Sequence, residues 1–140
     1  MIVFDDIANF PKPPNGCVAT IGKFDGLHLG HQKLFNQAKK YKKKYKIKIG
    51  VITFDPIPKM FFNKKLKNYR ISNLNQKLNI FKKFKVDFVV NKKFDKKFSK
   101  IKCNKFISEI IYKKFNIKIN YILAIISVTI LGAIFALLYF

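Results

Sequence analysis

The two histidines of this chain, His28 and His31, stand three residues apart with Gly30 between them. They are the residues whose types and spacing could do chemistry. An imidazole can donate a hydrogen bond to a phosphate oxygen, or carry positive charge beside one. A glycine at this place removes a side chain where a ligand would approach the backbone. The pattern therefore indicates phosphate binding, and the competing interpretation is a pair of surface histidines in an ordinary turn.

The segments around the histidines predict a strand, a turn and a helix. The β-branched run Cys17–Ile21 ends at Gly22, which is typical of a buried parallel strand that enters a turn. From Gly30 onward apolar residues recur at helical spacing, at Leu34, Phe35 and Ala38. A strand, a glycine-rich turn and a helix in this order present backbone N–H groups and the positive end of a helix dipole to an anion. Phosphate is the expected anion.

The run from Gly22 to Gln32 (GKFDGLHLGHQ) resembles the signature of the bacterial FAD synthetase domain, the FMN adenylyltransferase module usually joined to riboflavin kinase. Its segment HLGH matches the HxGH motif of the wider nucleotidylyltransferase superfamily. The resemblance implies adenylyl transfer from ATP to FMN, with FAD and pyrophosphate as products and His28 and His31 as the catalytic residues. It implies Mg²⁺ held by ATP and water, with no protein metal site, and Asp25 shaping the turn. The residues implied for ATP binding are Gly22, Phe24, Asp25, Gly26, His28, Gly30 and His31.

A second stretch, residues 53–58 (TFDPIP), resembles the proline turn of the family's flavin pocket. It follows an apolar run over residues 47–54 that predicts another buried strand. Because the carboxyl ends of parallel strands line one crevice, this turn and the histidines are expected at the same edge of a sheet. The residues that the resemblance implies for flavin binding are Phe54, Pro56, Pro58 and Phe62. For Phe61 and Phe62, packing in the core of a short helix stays open as the alternative.

The segment Arg70-Ile71-Ser72 resembles the opening of the family's third region. It leads into a helix predicted over residues 73–85, which has apolar residues on one face. Ser72 is expected to be the N-cap of this helix, because a serine hydroxyl can accept from an unpaired N–H of the first turn.

The remaining elements complete a predicted α/β fold. Residues 1–10 alternate weakly and are expected to contain an edge strand, residues 86–90 predict a third buried strand, and residues 104–115 an amphipathic helix. Alternating strands and helices predict a Rossmann-like parallel sheet with flanking helices. The resemblance implies an incomplete nucleotidylyltransferase domain over residues 1–118.

The last stretch, residues 121–140, runs for twenty residues without a charge. This is the length and composition of one membrane-spanning helix, so a C-terminal hydrophobic helix is expected over residues 119–140. A genuine anchor and a truncated reading frame are both open as its origin. Truncation would impair the adenylyl transfer, and a catalytically inactive, membrane-associated nucleotide-binding remnant is therefore an alternative function.

The formal net charge of +22 raises a further alternative, a basic protein that binds lipid or nucleic acid. Among the 29 basic residues only Arg70 is an arginine, the residue type favoured for bidentate recognition of phosphate and bases. We therefore interpret the lysines as a surface coat and expect no specific nucleic-acid partner. The two cysteines have no metal-ligand spacing, and residues 1–10 contain no long apolar run. Both observations favour a cytoplasmic setting for the folded part.

Overall fold

The computed structural model describes residues 1–66 and 69–117. Within them, parallel strands form a single four-stranded sheet in the order β1-β4-β3-β2. The strands are β1 (Ile2–Phe4), β2 (Cys17–Ile21), β3 (Lys48–Asp55) and β4 (Phe88–Lys93). This sheet confirms the predicted parallel α/β fold with flanking helices, and it places the strand of residues 1–10 at an edge.

Helices follow β2, β3 and β4. In the described part they are α1 (Leu29–Tyr45), α2 (Pro58–Phe62), α3 (Leu74–Lys83), α4 (Lys96–Ser99) and α5 (Cys103–Lys105), followed by a π-helix over Phe106–Lys114. The long helix α1 begins directly after the glycine-rich turn, as predicted. Its last turn carries lysines, whose charge suits the negative end of the helix dipole. The amphipathic helix predicted over residues 104–115 corresponds to α5 and the π-helix together.

Separate hydrophobic clusters cover the two faces of the sheet. The cluster beneath α1 and α3 contains Val18, Phe24, Phe35, Ala38, Ile49, Val51, Phe81 and Val89. The opposite cluster includes Phe10, Ile52, Phe54, Phe88, Phe94, Phe98, Ile111 and Phe115. Burial on both faces explains why β3 reads as a continuous apolar run rather than an alternating one.

The N-terminus of α3 differs from the expectation, because Asn73 and not Ser72 is its N-cap. The side chain of Asn73 accepts a hydrogen bond from the N–H of Gln76 at 2.9 Å. The Gln76 side chain in turn accepts from the N–H of Asn73 at 2.8 Å, which completes a capping box. Ser72 is buried and bonds Asp25 instead.

The region around β4 also differs from the prediction. The third strand is predicted to end at Val90, whereas β4 continues to Lys93 because its pairing with β3 extends to Asp55, opposite Lys93. Between the strand predicted over residues 86–90 and the helix predicted over residues 104–115, the structure has the additional short helix α4.

No helix in residues 1–66 and 69–117 is long and apolar enough to cross a membrane. The hydrophobic helix predicted over residues 119–140 lies outside the described residues.

Candidate functional site

The carboxyl ends of β2 and β3 carry the two segments that the sequence singled out. A glycine loop (residues 22–28) follows β2, and the proline turn follows β3. The N–H of Gly22 donates to the carbonyl oxygen of Ile52 at 3.0 Å, so the loop leaves the sheet still attached to β3. Parallel pairing of β2 with β3 therefore brings the histidines and the proline turn to one edge.

His28 is the N-cap of α1. Its Nδ1 accepts a hydrogen bond from the N–H of Gly30 at 3.2 Å, and an imidazole that accepts at Nδ1 carries its proton on Nε2. The rings of His28 and His31 stack with their centroids 3.9 Å apart. A Cβ on Gly30 would lie 3.0 Å from Cε1 of His28. The absence of a side chain at Gly30 thus makes room for the capping imidazole itself.

His31 lies one turn into α1 and is only 9% exposed. Its ring packs at 5.2 Å from that of Phe24, and its Nδ1 is buried with no hydrogen-bond partner among the described residues. Burial lowers the pKa of His31, and its electrostatic interactions with His28 and Lys23 lower it further. At neutral pH this imidazole is uncharged, and an anion placed beside it would favour its protonation.

Asp25 holds the glycine loop to the segment before α3. Its carboxylate accepts from the N–H of Ile71 at 2.9 Å, the N–H of Ser72 at 2.8 Å and the Ser72 hydroxyl at 3.1 Å. Burial acts to raise the pKa of Asp25, but these hydrogen bonds and the charge of Lys77 outweigh it and hold the pKa below its usual value. Asp25 is therefore an ionised residue that shapes the turn. The described part of the chain has no group of three or more acidic, histidine or cysteine side chains that could hold a metal ion.

Two of the predicted ATP-binding residues have structural reasons for their type. Phe24 is fully buried, and its ring lies 5.6 Å from the rings of Phe35 and Phe81, so only its backbone can face a ligand. Gly26 has a φ of 63°, a region that favours glycine, and a Cβ there would lie 3.3 Å from Ile71. The loop thus packs inward through Phe24 and turns at Gly26.

Lys77 is a residue that the sequence analysis missed. It is 4% exposed, and its Nζ donates to the carbonyl oxygen of Lys23 at 2.8 Å. Burial lowers its pKa against the opposing attraction of Asp25. A signal was present in the sequence, since Lys77 stands four residues before Phe81 and therefore on the face that α3 buries.

The opposite side of the site is an aromatic corner, which we define as Phe54, Phe61, Phe62, Phe94 and Phe98. Its rings meet mostly edge to face, with centroids 5.2 to 6.0 Å apart. Phe54 is buried in the core, and Phe61 is partly buried, whereas Phe62 is 46% exposed. Pro58 begins α2, and Pro56 lies in the turn before it. Of the aromatic residues predicted for flavin binding, Phe62 is the one whose ring is open to a ligand.

Arg70 links the two sides. Its guanidinium lies 2.9 Å from the carboxylate of Asp55, at the end of β3, and both side chains are partly exposed. Arg70 directly precedes Ile71, whose N–H binds Asp25. The segment before α3 therefore contacts both the glycine loop and the proline turn.

The parallel sheet and the histidine-bearing loop at its carboxyl edge define an α/β domain of the HxGH nucleotidylyltransferase type. More narrowly, the chain belongs to the FAD synthetase family, whose model matches residues 10–122.

Two curated relatives illustrate the similarity. The bifunctional riboflavin kinase/FMN adenylyltransferase of Buchnera aphidicola subsp. Schizaphis graminum is 38% identical over 112 residues, which are 80% of this chain and 36% of that protein. The protein of the same description from Escherichia coli strain K12 is 33% identical over 106 residues, 76% of this chain and 34% of the other. The chain spans about a third of the length of these relatives.

A solved structure shares the fold. The crystal structure titled as a macrolide-efflux protein from Streptococcus pneumoniae superposes with a TM-score of 0.68 at 28% identity. The match covers 84% of this chain and 39% of that one.

Proposed function

We propose that this chain transfers the adenylyl group of ATP to FMN, giving FAD and pyrophosphate. The observation that carries the proposal is the stacked pair of imidazoles at the N-terminus of α1, with His28 fixed by its bond to Gly30. Membership of the FAD synthetase family supports the choice of FMN as the acceptor. The descriptions of the curated relatives, which name FMN adenylyltransferase, support it as well.

In this reaction a phosphate oxygen of FMN attacks the α-phosphorus of ATP. The bond from that phosphorus to the oxygen bridging the α- and β-phosphates breaks, and pyrophosphate leaves with the electron pair. Such transfers depend on positioning and on charge stabilisation rather than on covalent work by the protein. The protein's task is therefore to hold the two substrates in line and to meet the charge that builds on the phosphates.

The glycine loop and α1 are suited to the ATP side. The first turn of α1 offers backbone N–H groups and the positive end of its dipole to the phosphates. His28 offers the N–H of Nε2, and His31 is a buried imidazole that would gain a proton as negative charge approaches. Mg²⁺ would be held by oxygens of ATP and by water, ligands that this ion prefers.

The aromatic corner is suited to the flavin. The exposed ring of Phe62 offers a face or edge to the isoalloxazine, and Phe54 is buried in the core on the same side of the site. Pro56 and Pro58 would shape the wall between them and the ATP side. FMN in this position would lie along the same sheet edge as the histidines.

The test is FAD formation from FMN, ATP and Mg²⁺ by the full chain in detergent. The double variant His28→Ala/His31→Ala should lose at least about 100-fold in rate, because two groups that stabilise phosphate charge are removed. Lys33→Ala, an exposed change on the same helix, is the matched control and should leave the rate unchanged. Equal rates in the double variant and the wild type would contradict the proposal.

The alternatives have outcomes of their own in the same samples. ATP binding without turnover by a folded wild type would favour the nucleotide-binding remnant. A nucleic-acid affinity that falls steeply with salt, and that is the same in the wild type and the double variant, would favour the basic binding protein.

We also propose that residues 121–140 attach the chain to a membrane, with the described part on the cytoplasmic side. The support is the run of twenty uncharged residues. In vesicle flotation, the full chain should float and a chain ending at residue 118 should not. Equal behaviour of the two chains would contradict the attachment.

A further inference from the structure

Lys77 is a buried ammonium whose hydrogen-bond acceptor is a backbone carbonyl rather than a carboxylate. Its Nζ donates to the Lys23 carbonyl at 2.8 Å, and the ion pairs of the described residues do not include it. Burying a charge without a paired counter-ion is costly. A side chain serving stability alone would be apolar here, since Phe81 on the same helix face lies in the core. The lysine therefore needs another explanation.

The carbonyl that Lys77 binds directly precedes Phe24, a residue of the loop with an unusual backbone conformation. Phe24 has a φ of 46°, a region that residues other than glycine rarely adopt. The peptide group between Lys23 and Phe24 carries the bound oxygen. A buried donor on that oxygen fixes the peptide in the orientation that lets Phe24 turn into the core.

The middle of the loop is fixed to the segment that directly precedes the same helix. Asp25 accepts from Ile71 and Ser72, and the N–H of Gly26 contacts the Ser72 hydroxyl at 3.5 Å. The opposite charges of Asp25 and Lys77 attract each other across the loop. The segment from Ile71 to Lys77 is therefore a platform on which the loop is held at two points.

We propose that Lys77 is a positioning residue: by binding the Lys23 carbonyl it keeps the glycine loop in the conformation that presents His28 and His31 at the start of α1. The part of this inference that concerns nucleotide binding rests on the proposed function. The part that concerns the loop does not.

The decisive variant is Lys77→Met, which keeps a long side chain and removes the donor and the charge. We expect backbone hydrogen exchange of residues 23–28 in the full chain without nucleotide to become about tenfold faster or more, with exchange in β3 unchanged. Lys82→Met removes the same charge from an exposed position of α3 and should change neither.

Two exchange results would overturn the inference. One is unchanged exchange in the loop of Lys77→Met. The other is faster exchange in the loop and β3 alike, together with a lower midpoint of thermal unfolding, because Lys77 would then serve global stability only. The expected midpoint is unchanged or higher, since an apolar side chain removes the cost of the buried charge.

ATP affinity in the presence of Mg²⁺ separates this inference from the proposed function. We expect Lys77→Met to weaken ATP binding about tenfold and Lys82→Met to leave it unchanged. If the wild type binds ATP, equal affinity in Lys77→Met would overturn the inference even with a loosened loop. A wild type that binds no ATP would contradict the proposed function, and the exchange data would still decide the role of Lys77.

Discussion

The glycine loop and the aromatic corner stand at one edge of the sheet, yet opposite kinds of contact hold them. The loop is fixed by buried, directional hydrogen bonds to charged groups, those of Asp25 and Lys77. The aromatic corner is held by ring contacts at 5.2 to 6.0 Å, and the turn beside it by the partly exposed ion pair of Asp55 with Arg70.

This difference has a physical meaning for two substrates. Charged hydrogen bonds in a buried setting are strong and demand one geometry, so they preorganise a site for a highly charged group. Aromatic contacts have shallow, broad minima and tolerate displacement of a ring. We therefore expect a rigid loop on the proposed ATP side and an adaptable corner on the proposed flavin side.

The largest effect should come from Asp25. In Asp25→Asn the carboxylate that accepts from Ile71 and Ser72 is lost, and we expect the free energy of unfolding at pH 7 to fall by about 2 to 3 kcal/mol. Denaturant unfolding measures it. Asp5→Asn, an exposed change, is the control and should stay within about 0.5 kcal/mol of the wild type.

The stability difference between the wild type and Asp25→Asn should depend on pH in a defined direction. The pKa of Asp25 in the folded chain lies below its ordinary value of 3.8. Its contribution is therefore fully present above that ordinary value and is lost as the pH falls through the lower folded-state pKa. The stability difference between the wild type and Asp25→Asn should shrink only in that acidic range, and a difference that shrinks between pH 7 and pH 5 would contradict the role given to this carboxylate.

The two phenylalanines of α2 should separate flavin binding from packing. Phe62→Ala should weaken FMN binding about tenfold with little change in stability, because this ring is exposed. Phe61→Ala should lower the free energy of unfolding by about 1 to 2 kcal/mol, because this ring packs against the core cluster. Quenching of flavin fluorescence and denaturant unfolding measure the two effects. A larger loss of FMN affinity in Phe61→Ala than in Phe62→Ala would reverse the assignment.

His31 should make ATP binding depend on pH. Its pKa is lowered by burial in the free chain and should rise when the phosphates bind beside it. ATP affinity should therefore increase as the pH falls from the bound-state pKa towards the free-state pKa. Comparing the wild type with His31→Gln cancels the titration of ATP itself, and identical profiles would argue against contact between His31 and phosphate.

The smallest effect should come from the ion pair between the two sides. Arg70→Gln should lower the free energy of unfolding by less than about 1 kcal/mol, because both side chains are partly exposed and screened. The difference should shrink further in 1 M salt. A loss as large as that of Asp25→Asn would remove the contrast between the two sides of the site.

Much of the fold follows from local sequence pattern. The strand over Cys17–Ile21 and the start of α1 lie where the apolar run and the helical spacing placed them. The HxGH segment stands at their junction because a strand, a glycine turn and a helix can join in few ways. Apolar patterning sets these elements, since burial of one face is decided by residues close in the chain.

The roles of individual side chains were harder to predict from the sequence. Ser72 has the type and place of an N-cap, and in the structure its hydroxyl binds Asp25, 47 residues away in the sequence. Phe24 lies within a motif expected to bind ATP, yet its ring belongs to the core. Both outcomes depend on how closely α3 packs against the glycine loop, which local pattern does not report.

The sequence by itself determined the parallel α/β sheet, the histidine pair at the start of α1, and the family through its motif. Only the tertiary structure decided that Asp25 is held by Ile71 and Ser72, and that Lys77 is buried against the carbonyl of Lys23. The physical reason is the distance along the sequence over which each kind of interaction acts. Periodicity and glycine placement act between neighbouring residues, whereas a buried charge finds its partner across some fifty residues only after the sheet and its helices have packed.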